Sequence, residues 1–271
     1  MTPEELLAAW HIQQTAFIEF RDQRVKAMLE MLAAAHPEDR PLRVLDLGCG
    51  PGSLCDAVAD RFPDAEVVGV DRDPILLRLG RETNRHGERM RLLDLDLAAP
   101  GWVHEVGQER FDAVVSATAL HWLNPDKLAE LGLTVSDVAA AIKEQNMQAG
   151  LYVTLPQVLN PGAVFLNADH LYFDGAAESF VKGVAEEQRE KFRLAAIDSG
   201  AMTWEAWWEA ARSVPGWEAE AKEWEERWSD KSPTVKVSLE FHLSALRAAG
   251  FVETTHIFRW FDDVVVFARL P

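Results

Sequence analysis

The chain has 271 residues, 48% of them hydrophobic and 26% charged, enough for one large domain or one domain with a cap. Its 27 Lys and Arg against 44 Asp and Glu leave a formal charge of −17, so its surface repels phosphate backbones and anionic lipid, and neither nucleic acid nor a membrane is an expected partner. Two cysteines, Cys49 and Cys55, cannot build a disulfide framework or fill a four-ligand zinc site, and no apolar run approaches the roughly 20 residues of a membrane span; a cytoplasmic protein without a metal is expected.

Residues 3–35 read as one helix, because Leu6, Leu7, Trp10, Phe17, Ile18, Val25, Met28, Leu29 and Leu32 recur at three-four spacing before HPEDRP ends the pattern. Short apolar runs then alternate with helical stretches. The runs fall at 42–48, 65–71, 90–97, 111–117 and 162–169, with helices near 53–61 and 74–85. Each run is rich in Val, Ile and Leu on both faces, as a parallel strand buried between helix layers requires. Before the fifth run, Ser136 can cap a helix to about Ala149 with Val138, Ala141, Ile142 and Gln145 on one side, and Pro156 predicts a kink or break.

Residues 175–232 hold no strand-like run but six of the ten tryptophans. Trp204, Trp207 and Trp208 share one helical face, and Trp217, Trp224 and Trp228 another. These rings are either the core of a helical cap or, for one or two, the wall of a pocket. At the end, FVETTHIFRW and DVVVFARL, joined by Phe261-Asp262, read as an antiparallel pair at the sheet edge. The expected fold is α/β: a seven-stranded, mostly parallel, doubly wound sheet with an antiparallel C-terminal strand and a helical lid insertion. Its parts would be an N-terminal helix covering the site (1–36), a Rossmann-like core (37–171), the Trp-rich lid (172–236) and a closing helix with the strand pair (237–271).

The chemistry-bearing stretch is VLDLGCGPGS, Val44 to Ser53. A strand ends in Asp46, and a glycine turn opens a helix. Gly48 and Gly50 let the backbone bend and let a ligand lie against it. Asp71 ends the next strand, where a carboxylate can take both hydroxyls of a ribose at the crevice above the strand ends. A dinucleotide fingerprint needs G-x-G-x-x-G, but the glycines fall at 48, 50 and 52 with Ser53 in the last place, out of position for close helix–strand packing. Asp46 would repel a pyrophosphate and attract an ammonium. S-adenosylmethionine (SAM), a nucleoside with an amino-acid end and no phosphate, satisfies that charge logic.

VLDLGCGPGS resembles the first motif of the class I SAM-dependent methyltransferases. GVDRDP (69–74) resembles the second, LLDLDL (92–97) the acidic motif after the third strand, FDAVVSATALHWL (111–123) the fourth, and LNPGAVFLNADHL (159–171) the segment around the fifth strand, with Ala163 where a second glycine is usual. The pattern ALHWL further resembles the small-molecule branch that includes trans-aconitate methyltransferase. The resemblance implies that Asp46, Gly48 and Gly50 hold the methionine part of SAM, with Cys49 contributing backbone. It implies Asp71 at the ribose, Arg72 beside the adenine, and Ser116 and Ala117 presenting backbone to the amino-acid end. Asp96-Leu97 best matches the adenine-contacting pair, with Asp94-Leu95 the other register.

Methyl transfer from a sulfonium needs alignment and exclusion of water, and a base only where the acceptor must lose a proton. His121, in ALHWL, is either that base or a helix-start imidazole bonded to backbone. His170 either touches the acceptor or pairs with Asp169. His11, Gln14 and Arg21 could border the entrance, although a solvated face is the plainer expectation. His36 suits the helix dipole, Trp122 a core position, and Cys55 a buried inert thiol. The implied function is SAM-dependent methylation of oxygen, nitrogen or carbon in a small molecule, partly apolar or aromatic given the clustered indoles. A non-methylating SAM reaction such as a cyclisation, and a non-catalytic SAM-binding regulator, share the same cofactor motifs.

Overall fold

The computed structural model describes residues 1–37, 39–99, 101–123, 147–173, 178–229 and 237–271. The strands are β1 (Arg43–Leu47), β2 (Glu66–Asp71), β3 (Met90–Asp94), β4 (Phe111–Ala117), β5 (Leu159–His170), β6 (Glu253–Trp260) and β7 (Asp263–Arg269). They form one sheet in the order β3-β2-β1-β4-β5-β7-β6. β1 to β5 pair in parallel, and β7 runs antiparallel to both β5 and β6. The order reverses between β1 and β4, which opens a crevice beyond the carboxyl ends of those strands.

Alternation along each buried strand splits the core into two layers. Leu45, Leu47 and Val114 face one side, with Leu151, Tyr152 and Leu155 of α5 (Met147–Val158) and Ala245 and Leu246 of α9 (Leu239–Ala248). Val44, Ala113 and Val115 face the other, with Met28 and Leu32 of α2 (Arg21–Ala35) and Cys55 and Val58 of α3 (Ser53–Arg61). A third cluster lies beyond the sheet. It joins Leu6 and Trp10 of α1 (Pro3–Phe17), Ile75, Leu76 and Leu79 of α4 (Pro74–Glu82), and Trp207 and Trp208 of α7 (Trp204–Arg212).

The single helix expected over 3–35 is two. α1 and α2 are separated at Ile18–Phe20, where Phe20 takes a left-handed backbone with φ 54°. The reason is packing. α1 must seat Leu6 and Trp10 on the tryptophan cluster while α2 seats Met28 and Leu32 on the sheet, and one straight rod cannot do both. The left-handed Phe20, costly by roughly 1–2 kcal/mol, is offset by its ring contacts with Trp260 at 5.0 Å and Phe258 at 6.4 Å.

Among the described residues four helices lie between β5 and β6: α6 (Ser179–Asp198), α7, α8 (Glu218–Arg227) and α9. The helix expected to start at Ser136 lies outside the described residues up to 146. Residues 147–149 belong to α5, which ends at Val158, two residues beyond Pro156. Among the described residues no helix is long and apolar enough to cross a membrane.

Candidate active site

A cavity of about 1070 Å³ occupies the crevice at the strand ends. That is at the upper end of the roughly 300–1,000 Å³ of a small-molecule pocket, ample for a ligand of nucleoside size. The turn after β1 forms its floor. Gly48 and Gly50 have φ of 71° and 55°, a region that favours glycine. The amides of Gly48 and Cys49 donate to the Val70 carbonyl at 2.8 and 3.0 Å, binding the turn to β2. A side chain at Gly48 would overlap the Cβ of Ala119. Close helix–strand packing is supplied after all, at Gly52, where a Cβ would meet the Met90 side chain at 2.5 Å, and at Gly80, where it would meet the Pro51 carbonyl at 2.7 Å. The glycine count therefore does not argue against a dinucleotide, and the case rests on charge.

Asp46 carries that charge argument. It is 1% exposed and borders the cavity. The Cys55 thiol donates to its Oδ2 at 3.2 Å, while Oδ1 is buried and has no partner among the described residues. Burial, with the Asp71 charge adding, pushes its carboxyl up to about 7. A buried acceptor without a donor, beside a ligand cavity, suits an incoming ammonium. Cys55 is the buried thiol expected, and burial pushes Cys49 up to about 11, so neither is a nucleophile. Asp71 accepts from the amides of Gly50 at 2.7 Å and Asp73 at 2.8 Å, so it braces the turn while lining the cavity.

At the end of the cavity beyond β2 and β3 the two registers separate. Asp94 takes both guanidinium nitrogens of Arg227 at 2.7 and 2.8 Å and does not line the cavity. Asp96, Leu97 and Arg72 do. Asp96 accepts from Arg72 at 3.1 Å and from the Ala98 amide at 2.9 Å. Ala117 lines the cavity, whereas Ser116 is fully buried and spends its hydroxyl on the Leu47 carbonyl at 2.7 Å.

At the other end His121 sits in a 3-10 turn, Leu120–Trp122, just past β4. Its Nδ1 lies 2.8 and 3.0 Å from the carboxylate oxygens of Asp169, which also accepts from the His121 amide at 3.3 Å. Burial alone would raise the Asp169 carboxyl, but the His121 charge and hydrogen bond outweigh it and hold it below the usual range. Behind Asp169, the buried Tyr152 hydroxyl meets His242 Nδ1 at 2.6 Å, and burial pushes that imidazole down to about 4. His170 also lines the cavity, but its side chain faces Asp262, at 3.6 Å, and not Asp169. Asp262 in turn pairs with Arg189 of α6.

The N-terminal helices supply residues that the sequence placed on a solvated face. His11, Gln14 and Arg21 line the cavity, as do Trp10, Gln13 and Phe17. Arg21 makes no ion pair among the described residues, and burial lowers its pKa. Trp122 is 45% exposed and borders the cavity, contrary to a core position. Both readings of the indoles hold: Trp207 and Trp217 are buried in the third cluster, while Trp204, Trp208, Trp224 and Trp228 face the cavity. Among the described residues no group of His, Cys, Asp or Glu could hold a metal.

This strand order, with a glycine turn after β1 and carboxylates ending β1 and β2, is the fold of the class I SAM-dependent methyltransferases, and residues 44–141 match the family described as a methyltransferase domain. Residues 44–141 thus resemble a methyltransferase domain, and SAM is the cofactor that this match and the fold imply. Within the class the chain resembles trans-aconitate 2-methyltransferases. That of Rhodopseudomonas palustris (strain HaA2) is 31% identical over 157 residues, 56% of this chain and 57% of that protein. That of Methylobacterium radiotolerans is 36% identical over 121 residues, 44% of this chain and 42% of that protein. The match thus spans about half the length of these curated relatives. Among solved structures, the apo form of the SAM-dependent methyltransferase SibL aligns with a TM-score of 0.53 at 17% identity, over 93% of this chain and 56% of that one. A SAM-dependent methyltransferase from Mesorhizobium loti aligns with a TM-score of 0.50 at 18% identity, over 90% and 97%. These two likenesses speak to fold.

Proposed function

We propose that this protein methylates an oxygen or nitrogen of a small molecule that must lose a proton in the reaction, with His121 as the base and Asp169 as its positioning residue. The observation that carries this is that His121, which lines the same cavity as Asp46 and Asp71, is held by the buried Asp169 carboxylate. SAM, when bound, supplies an electrophilic methyl group on a sulfonium. Asp46 would hold its ammonium and Arg21 its carboxylate, with Gly48, Cys49, Gly50 and Ala117 forming the backbone wall of that end. Asp71 would take the ribose hydroxyls with its remaining lone pairs, and Arg72, Asp96 and Leu97 would border the adenine.

Asp169 is a buried anion, so the tautomer it favours carries hydrogen on Nδ1 and leaves the Nε2 lone pair to accept a proton. A hydroxyl or amine sheds a proton as the methyl adds, and an oriented imidazole receives it. A carboxylate acceptor needs no such base. The pair therefore favours a protic acceptor, and trans-aconitate, which the curated relatives are named for, is the comparison substrate. Phe17, Ile18, Trp122 and Trp204 on the cavity wall support an acceptor that is partly apolar or aromatic, and His170 would touch it from the rim. Helices α6, α7 and α8 would serve as the lid that keeps water out. The charge of −17 argues against a nucleic-acid acceptor and accords with a cytoplasmic small-molecule enzyme.

Release of S-adenosylhomocysteine from SAM, measured across phenols, amines and trans-aconitate, tests the reading. Turnover with a protic acceptor that His121→Ala abolishes, with cofactor affinity retained, is the expected result. Turnover with trans-aconitate alone, unaffected by His121→Ala, would overturn the base assignment. Binding of SAM without turnover of any acceptor would favour a regulator.

A further inference from the structure

The corner of the cavity that faces the adenosine end holds two polar donors the fold leaves unspent. The Trp228 indole N–H is buried and has no partner among the described residues, and so is the Arg72 Nε. They are neighbours: the Arg72 guanidinium lies 5.5 Å from the Trp228 ring centroid, and the same guanidinium donates to Asp96 at 3.1 Å. Trp228 is held from both sides. The preceding residue, Arg227, is clamped by Asp94 at 2.7 and 2.8 Å and by the Arg72 carbonyl at 2.5 Å, and the Trp122 ring meets Trp228 edge-on at 6.0 Å. A buried donor left unpaired costs about 1–3 kcal/mol, so a fixed one at a cavity wall marks a place where a ligand acceptor is due.

Resting on the SAM reading above, we propose that Trp228 recognises the cofactor's purine: its indole N–H donates to a ring nitrogen of adenine while Asp96 accepts from the exocyclic amino group. An acceptor and a donor that share the Arg72 guanidinium as a neighbour complement adenine, which offers an amino donor beside ring acceptors N1 and N7. Hypoxanthine and guanine carry an oxo acceptor at that carbon, which the Asp96 carboxylate would repel. The recognising residue comes from the segment between β5 and β6 and not from the strand ends. Purine binding and the seating of α8 are therefore one event, joined through the Arg227–Asp94 bridge.

The test is direct binding of S-adenosylhomocysteine and its 1-deaza and 7-deaza analogues to wild type and Trp228→Phe, which keeps an aromatic ring, though a smaller one, and removes the N–H. Wild type should bind one deaza analogue about tenfold more weakly than the parent. Trp228→Phe should bind the parent about tenfold more weakly and no longer discriminate against that analogue. Because the decision rests on a ratio of two affinities in one protein, a loss of stability in the variant does not blur it. Equal binding of all three ligands by wild type, or a deaza penalty that persists in Trp228→Phe, overturns the proposal. Failure of wild type to bind S-adenosylhomocysteine at all would overturn the SAM reading itself.

Discussion

Asp169, near the end of β5, holds the His121 imidazole with both carboxylate oxygens, at 2.8 and 3.0 Å, and also accepts from the backbone amides of His121 and His170 at 3.3 and 2.8 Å. A carboxylate bound this way cannot rotate away, so the ring is held in one plane and one tautomer before any ligand arrives.

Asp169→Asn preserves the shape of this pair but replaces an acceptor-only group with one that also donates. Turnover should fall about hundredfold, as for loss of a general base, while the affinity for S-adenosylhomocysteine changes little. His121→Ala should cost about as much, and the double variant no more than either single one, because the two act as one unit. Additive losses in steady-state kinetics would show that they act separately.

Asp46 predicts a pH dependence. Burial pushes its carboxyl up to about 7 in the native protein, against about 4 for an ordinary aspartate. Between about pH 4 and 7 the native state therefore holds a proton the unfolded chain has lost, so this group's contribution to stability falls as pH rises through that window. A ligand ammonium favours the ionised form, so affinity for S-adenosylhomocysteine should climb severalfold between pH 6 and 8. Asp73, which caps α4 through the amides of Ile75 and Leu76, is also pushed to about 7 by burial and titrates in the same range. Calorimetric binding to Asp46→Asn separates the two, since the variant should be weaker at pH 8 with a flattened profile.

Gly48→Ala combines a left-handed φ of 71° with an overlap on Ala119, two residues before His121. A loss of about 2–4 kcal/mol in urea unfolding is expected, together with a fall in turnover as the His121 turn is displaced. Gly87→Ala, at φ 59° with nothing within 4 Å, isolates the backbone strain and should cost only about 1 kcal/mol. Equal losses at the two positions would mean that the Ala119 contact yields freely.

Arg24 of α2 pairs with Asp263 at the start of β7, and the two are 2% and 3% exposed at their side chains. Removing one partner strands a buried charge, so Asp263→Ala should cost about 3–5 kcal/mol. Replacing both, as Arg24→Met with Asp263→Leu, should cost clearly less than the single change. Chemical denaturation of the two variants decides it.

The elements themselves are legible in the sequence. β4 and α3 fall on residues 111–117 and 53–61 as expected, because a continuous Val-rich run and a glycine turn before a helix are local signals. The break at Ile18–Phe20 is not legible, since FIEFRDQ contains no glycine, proline or asparagine to mark it. Nor is the face that His11 of α1 and Arg21 of α2 present, because the amphipathicity of those helices does not say that a second side borders a cavity.

Residues within one turn of backbone, such as Asp46, Gly48 and Gly50, carry their relationship in the chain order, and the charge argument for a phosphate-free nucleoside follows from them alone. Pairings across the sheet do not. Asp169 could have met His170 beside it or His121 across two strand ends, and only the parallel register of β4 against β5 puts it on His121. His170 turns to Asp262 because the β6–β7 turn arrives there, and Trp228 reaches Arg72 because α8 packs on α4. Local chemistry depends on neighbours in sequence, whereas long-range pairing depends on which backbone ends the sheet topology brings together.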